Sequence, residues 1–278
     1  MLGAILGDII GSRFEFDNRR TKDFTLFHEE CFFTDDSVMT LAVADALLAC
    51  AEAPAVDPSD PWADLPTQAV RSLRAIGQQY PNCGYGGMFA RWMFSPDPKP
   101  YHSFGNGAAM RVSPCGFAAR SLEEAKRLSH AVTAVTHDHP EGLKGAEATA
   151  VCIYLARTGA TLADLRAHVV AHYYPFDFTL DGIRPSYQFN ETCQETVPQA
   201  IQCVLESTSF EDAIRNAISI GGDSDTLGAI AGGIAQAFYG VPEAMRKAGM
   251  RYLDKDLRTV LERFEERFDR RRTDARLQ

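Results

Sequence analysis

The chain has 278 residues, 45% of them apolar and 23% charged, with a formal net charge of −9. That length is ample for a large buried core, and the acidic balance excludes general electrostatic attraction to nucleic acid or an anionic membrane. No apolar run is long enough to span a bilayer, and seven scattered cysteines with no C-x-x-C pair point to a reduced, cytoplasmic protein.

In chain order, the N-terminal stretch is apolar but lacks a basic flank and is interrupted by Asp8, unlike a signal segment. Thr34-Asp35-Asp36-Ser37 then precedes Val38–Ala51, a helical run apolar on almost every face and so expected at the centre of the core. A loop rich in Pro and Asp, 53–61, leads to a helix over Leu65–Tyr80. Cys83-Gly84-Tyr85-Gly86-Gly87 reads as a mobile loop whose aromatic can stack on a base or ribose, or as a plain flexible connection. After a second loop at Ser95–Pro100, Gly105 and Gly107 flank Asn106 in a tight turn. Its exposed amides can hold phosphate oxygens, although by itself it reads as an ordinary glycine turn.

Further helices are expected at Ala146–Arg157, Leu162–His172 and Val197–Glu206, with capping sequences at Ser121–Glu124 and Ser209–Asp212 starting two more. Pro175–Ser186 reads as a loop, and strand signals at Phe24–Phe27 and Tyr173–Leu180 are weak. Gly221-Gly222-Asp223-Ser224-Asp225-Thr226 precedes Leu227–Tyr239, a buried helix whose small residues allow close approach of a neighbour. A final helix from Asp256 to about Asp274 has one apolar stripe, and its Arg270-Arg271-Arg272 run reads as a solvated face. The expectation is an all-α protein forming one domain over 1–278.

The two acidic strings carry the chemistry. One Asp explains one helix cap, but paired carboxylates repel unless a cation neutralises them. Carboxylates and hydroxyls are hard oxygen donors that suit Mg²⁺, Mn²⁺ or Ca²⁺ better than zinc. The adjacent pair His137-Asp138 invites comparison with helical metal phosphohydrolases, yet His130 and His172 show no supporting spacing. No nucleophile signature for cysteine or serine catalysis is present.

Taken in order, Gly3–Glu15, Phe33–Ser37, Ser103–Arg111, Thr136-His137 and Gly221–Gly228 resemble the ADP-ribosylglycohydrolase family, including its dinitrogenase-reductase-activating and ADP-ribosylarginine hydrolase types. The resemblance spans most of the chain. It implies an all-α fold with two Mg²⁺ or Mn²⁺ ions at the base of an ADP-ribose cleft. Thr34, Asp35 and Asp36 match one ligand group, and Asp223, Asp225 and Thr226 the other. Glu15 matches a glutamate near the metals, so Glu15, Asp36 and Asp225 are the candidates for catalysis.

Ser103, Phe104, Gly105 and Asn106 match the loop around the diphosphate and distal ribose, His137 a ligand-contacting histidine, and Gly84, Tyr85 and Gly86 a glycine loop over the cleft. The implied substrate is an ADP-ribosylated protein or small ADP-ribose conjugate, arginine-linked first. Serine-linked, poly- and O-acetyl-ADP-ribose and a non-catalytic binding role remain open. Ser37 and Ser224 stand where family members often carry threonine, and Gln236 where a small residue is expected.

Overall fold

A computed structural model describes residues 1–54 and 56–268. In chain order the helices are α1 (Leu2–Gly11), α2 (Asp35–Glu52), α3 (Leu65–Gly77), α4 (Gly87–Phe94), α5 (Gly107–Met110), α6 (Ser113–Ala118), α7 (Leu122–Thr133) and α8 (Pro140–Arg157). There follow α9 (Leu162–His172), α10 (Leu180–Ile183), α11 (Cys193–Leu205), α12 (Phe210–Ser219), α13 (Ser224–Tyr239), α14 (Glu243–Gly249) and α15 (Lys255–Phe268). Among the described residues there is no sheet, only isolated bridges at Asp57–Asp60 and Gly105–Thr192. The all-α expectation is met. Part of the expected last helix, from Asp269 on, lies outside the described residues together with the Arg270–Arg272 run.

The core is organised by α1, α2 and α13. Every residue of α1 is buried, as are most of α2 and α13. Helices α1 and α13 run antiparallel, with Gly3, Gly7 and Gly11 facing Gly232, Gly228 and Ser224. A methyl group at Gly7 would fall inside the carbonyl of Gly228, and one at Gly232 inside that of Gly3. Each helical glycine costs up to ~1 kcal/mol in propensity. Here the loss is offset by backbone-to-backbone contact over three turns.

Local signals explain several of the remaining helix starts. Ser121 and Ser209 accept from the amides of Glu124 and Asp212, as their capping sequences predict. Thr161 and Asp164 form a complete capping box ahead of α9.

Several boundaries differ from the sequence expectation. Helix α8 starts at Pro140, which needs no N–H partner in a first turn. Helix α11 starts at Cys193 and carries Pro198 inside it, and Pro175–Ser186 contains the short α10. Helix α3 stops at Gly77, where Met93 closes on the glycine. Gln236 has a role of its own: its Oε1 accepts from Gly3 N at 2.6 Å, satisfying an otherwise unpaired amide at the start of α1.

Candidate active site

The antiparallel pairing decides the site. It sets the C-terminal end of α1 beside the N-terminus of α13, so Glu15 emerges against the second acidic string. Ligand oxygens of Glu15, Asp223 and Asp225 lie within 4.8 Å of one another. Asn18 ties the two segments together: its Nδ2 donates to the carbonyls of Phe14, Glu15 and Gly222 at 2.8, 3.0 and 2.9 Å, and its Oδ1 accepts from Gly222 N at 2.8 Å. Gly221 and Gly222 both have positive φ, 71° and 77°, the conformation that aims Asp223 into the site.

The first string arrives on α2. Thr34 is the N-cap, its hydroxyl accepting from Asp36 N at 3.2 Å. Asp8, fully buried in α1, accepts from Thr34 N (3.0 Å), Thr34 Oγ1 (2.8 Å), Ser37 N (3.0 Å) and Ser37 Oγ. One carboxylate thus holds the whole turn. Asp36 projects from that turn to meet Thr226, whose Oγ1 donates to Asp36 Oδ2 at 3.3 Å. The two strings meet in space.

Asp36 Oδ1 is buried with no hydrogen-bond partner among the described residues. An orphaned carboxylate oxygen inside a cluster of acids is the signature expected of an oxygen-donor site for a hard divalent cation. Electrostatics agree. Burial first, and the neighbouring carboxylates second, push Asp35 and Asp36 well above the usual range, and burial with Asp223 does the same to Asp225. Burial lifts Asp223 to about 6, and burial, then Asp225 and Asp8, lift Glu15 to about 8. Protein groups alone therefore oppose ionisation of Asp35, Asp36, Asp225 and Glu15 near neutrality. Cations would favour it.

These acids floor a cleft of about 680 Å³, within the size range of small-molecule sites. Its lining includes Glu15, Asp35, Asp36, Asp223, Asp225 and Thr226, together with Ser103, Phe104, Gly105, Asn106 and His137. Gly84 and Gly86 line it as well, with Gly84 at φ 97°. Tyr85 does not: its ring packs on Phe89 at 5.5 Å and its hydroxyl points to the Gly77 carbonyl, because the apolar ring is held between α3 and α4. Met88, half-exposed, lines the cleft instead.

Thr34 also lies behind the lining, its hydroxyl donating to Asp8. Asn106 turns inward and donates to Asp223 Oδ2 at 2.7 Å, orienting the second string. Part of the amide capacity of its loop is already used: Gly105 N donates to Ser103 Oγ and Asn106 N to Glu191 O. The His-Asp pair does not build a phosphohydrolase site. Asp138 accepts from His102 N, and His130 and His172 are exposed on α7 and α9.

Asp8, Asn18 and Glu191, which also lines the cleft, are the site residues the sequence reading missed. Asp8 left a signal, being a lone acid in a run of buried apolar residues. Asn18 and Glu191 left none, since their roles depend on segments folded against them.

The fold and the site together define an all-helical protein with an acid-floored ligand cleft. A sequence model described as ADP-ribosylglycohydrolase matches residues 1–276, and the chain belongs to that family of hydrolases. The human protein named ADP-ribosylhydrolase ARH3 is 25% identical, over 92% of this chain and 90% of its own. The protein of Pseudomonas putida (strain GB-1) named ADP-ribosylarginine hydrolase Tri1 is 26% identical, over 87% of this chain and 70% of its own. A solved structure described as an ADP-ribosylglycohydrolase-related protein complex aligns with a TM-score of 0.69 over 95% of each chain, at 23% identity, a likeness of fold.

Proposed function

We propose that this chain hydrolyses the glycosidic bond between ADP-ribose and a modified acceptor, with ADP-ribosyl-arginine on protein as the first candidate substrate. The observation that carries this reading is the meeting of the two acidic strings around the orphaned Asp36 Oδ1, at the floor of a cleft large enough for a nucleotide sugar. Asp35, Asp36, Asp223 and Asp225, with the hydroxyl of Thr226, would hold two Mg²⁺ or Mn²⁺ ions, while the Thr34 hydroxyl, expected as a ligand, is spent on Asp8 and the Asp36 amide. Bound there, such ions supply Lewis-acid polarisation of ribose hydroxyls and water.

The rest falls to the chain's own groups. The carboxylates face the positive charge that develops on the ribose as the glycosidic bond breaks. A carboxylate must also take the attacking water's proton, with Glu15, Asp36 and Asp225 as candidates. Glu15 suits this best, because it is partly exposed to the cleft and no hydrogen bond ties its carboxyl among the described residues. In the same cleft, buried Arg111 and the Ser103–Asn106 loop favour the anionic diphosphate.

The arginine linkage is supported by the name of the P. putida relative. Serine-linked, poly- and O-acetyl-ADP-ribose are tested beside it. Seven unpaired cysteines fit a cytoplasmic enzyme, and no described helix is long and apolar enough to cross a membrane. The deciding assay presents ADP-ribosyl-arginine and ADP-ribosyl-serine peptides with Mg²⁺, Mn²⁺ or EDTA. Free ADP-ribose formed only with metal is expected, at a rate reduced more than about a hundredfold by Asp225→Ala. AMP as product would assign the cleft to diphosphate cleavage, no product to a binding protein, and full activity of the variant would remove the metal-site mechanism.

A further inference from the structure

Arg111 is 1% exposed, yet its Nε has no hydrogen-bond partner and no carboxylate pairs with it among the described residues. Its Nη2 donates to Thr136 Oγ1 at 2.5 Å and approaches His137 Nδ1 at 3.4 Å. Thr136 Oγ1 itself lies 2.8 Å from the same Nδ1. A guanidinium has donors and no acceptor. A threonine hydroxyl that accepts from it has its own hydrogen left to give, and Nδ1 is the shortest acceptor in reach. The Thr133 carbonyl, the other acceptor for that hydrogen, is farther at 3.4 Å; with the hydrogen given to Nδ1 at 2.8 Å, Nδ1 carries the lone pair.

We propose that Arg111, acting directly and through Thr136, is a positioning residue that locks His137 as the neutral Nε2–H tautomer, making it a fixed hydrogen-bond donor to an anionic oxygen of the ligand. The other side of the ring is open to receive one. His137 Nε2 would be the nearest atom, at 3.4 Å, to a side chain built on Gly107, and it lies 3.7 Å from one built on Gly105. Glycine at both positions keeps the space in front of Nε2 clear, and all three residues line the cleft. The other groups near the ring do not reverse the assignment. Tyr101 packs on it with ring centroids 5.7 Å apart, and Asp138 is engaged by His102 N. Burial, and then the Arg111 charge, also hold the imidazole neutral well below its ordinary range.

The identity of the ligand rests on the function proposed above, but the tautomer does not, so the two are tested separately. In protein labelled with ¹⁵N-histidine, His137 is expected to show one proton, on Nε2, from pH 5 to 8. A proton on Nδ1, or titration to imidazolium within that range, overturns the proposal.

Thr136→Val keeps the shape of the side chain and removes the hydroxyl. It should let the second tautomer appear and weaken ADP-ribose binding by about tenfold, the effect of one hydrogen bond to a charged group. Thr136→Ser should restore both. Arg111→Gln should raise the His137 pKa into the observable range. If that variant does not fold, the wild-type and Thr136→Val spectra still decide. An unchanged spectrum in Thr136→Val would remove the relay. Absence of ADP-ribose binding by the wild type would instead fail the functional reading and leave the tautomer to the spectra.

Discussion

Asp8 shows what one residue contributes. Its carboxylate is the common acceptor for the Thr34 and Ser37 amides and hydroxyls, so it fixes the turn from which Asp35 and Asp36 project. Asparagine has one acceptor oxygen, and its amide would confront donors already pointing at it. Asp8→Asn is therefore expected to destabilise the protein by about 2–4 kcal/mol and to lower turnover sharply, checked by urea unfolding and the ADP-ribose release assay. Wild-type stability and rate in that variant would show the turn to be held by other means. Asp35, Asp36, Asp223 and Asp225 were legible in the sequence because their crowding exceeds what caps require. Asp8 was visible only as a break in an apolar run. Its meaning needed the knowledge that the run is a wholly buried helix, where a lone acid must be partnered.

Among the elements, α1 and α13 carry the architecture. α2 and α13 follow from long apolar runs, and α9 from a helical run with a Thr161–Asp164 capping box. α1 does not, because Gly3, Gly7, Gly11 and Asp8 all lower local helix propensity. The glycines make sense only against the partner helix. Gly228→Ala places a methyl group against the Gly7 carbonyl, where both sides are backbone and neither can yield. A loss of about 3 kcal/mol is expected by chemical denaturation, together with weaker cation binding as Asp8 and the Asp35–Asp36 turn it holds move away from Asp223 and Asp225. Gly86→Ala is the matched control: a methyl group there meets nothing within 4 Å, and a change within about 0.5 kcal/mol is expected. Equal effects of the two substitutions would mean that close helix approach does not set the site.

At the scale of the whole molecule, the buried acids couple stability to pH and cations. Without cations, Glu15 moves from its ordinary 4.5 to about 8 in the folded state, and Asp8 and Asp223 from 3.8 to about 6. Between those limits the folded protein holds protons that the unfolded chain has released. The contribution of these groups to stability therefore falls as pH rises from about 4 to 8. Divalent cations that bind only the folded state oppose this, and at a hundred times their dissociation constant they add about 2.7 kcal/mol. In EDTA the melting temperature is expected to fall across pH 5–8. With Mg²⁺ or Mn²⁺ it should flatten and rise by several degrees at pH 8, and identical profiles would exclude a cation site.

The sequence by itself determined the residue chemistry and the helical class: which side chains are hard oxygen donors, which runs are apolar at helical spacing, and which family the ordered motifs resemble. Those are local properties, set by residue type and short-range spacing. Only the tertiary structure decided that the two acidic strings face one another, that Asp8 and Asn18 brace them, that Tyr85 turns away, and that Arg111 reads onto His137. Tyr85 and Arg111 are placed by neighbours a few to some tens of residues away, whereas the meeting of the two strings needs segments far apart in the chain to approach within a few ångströms. That meeting is governed by how closely the backbones of α1 and α13 can pack, a property of neither segment alone.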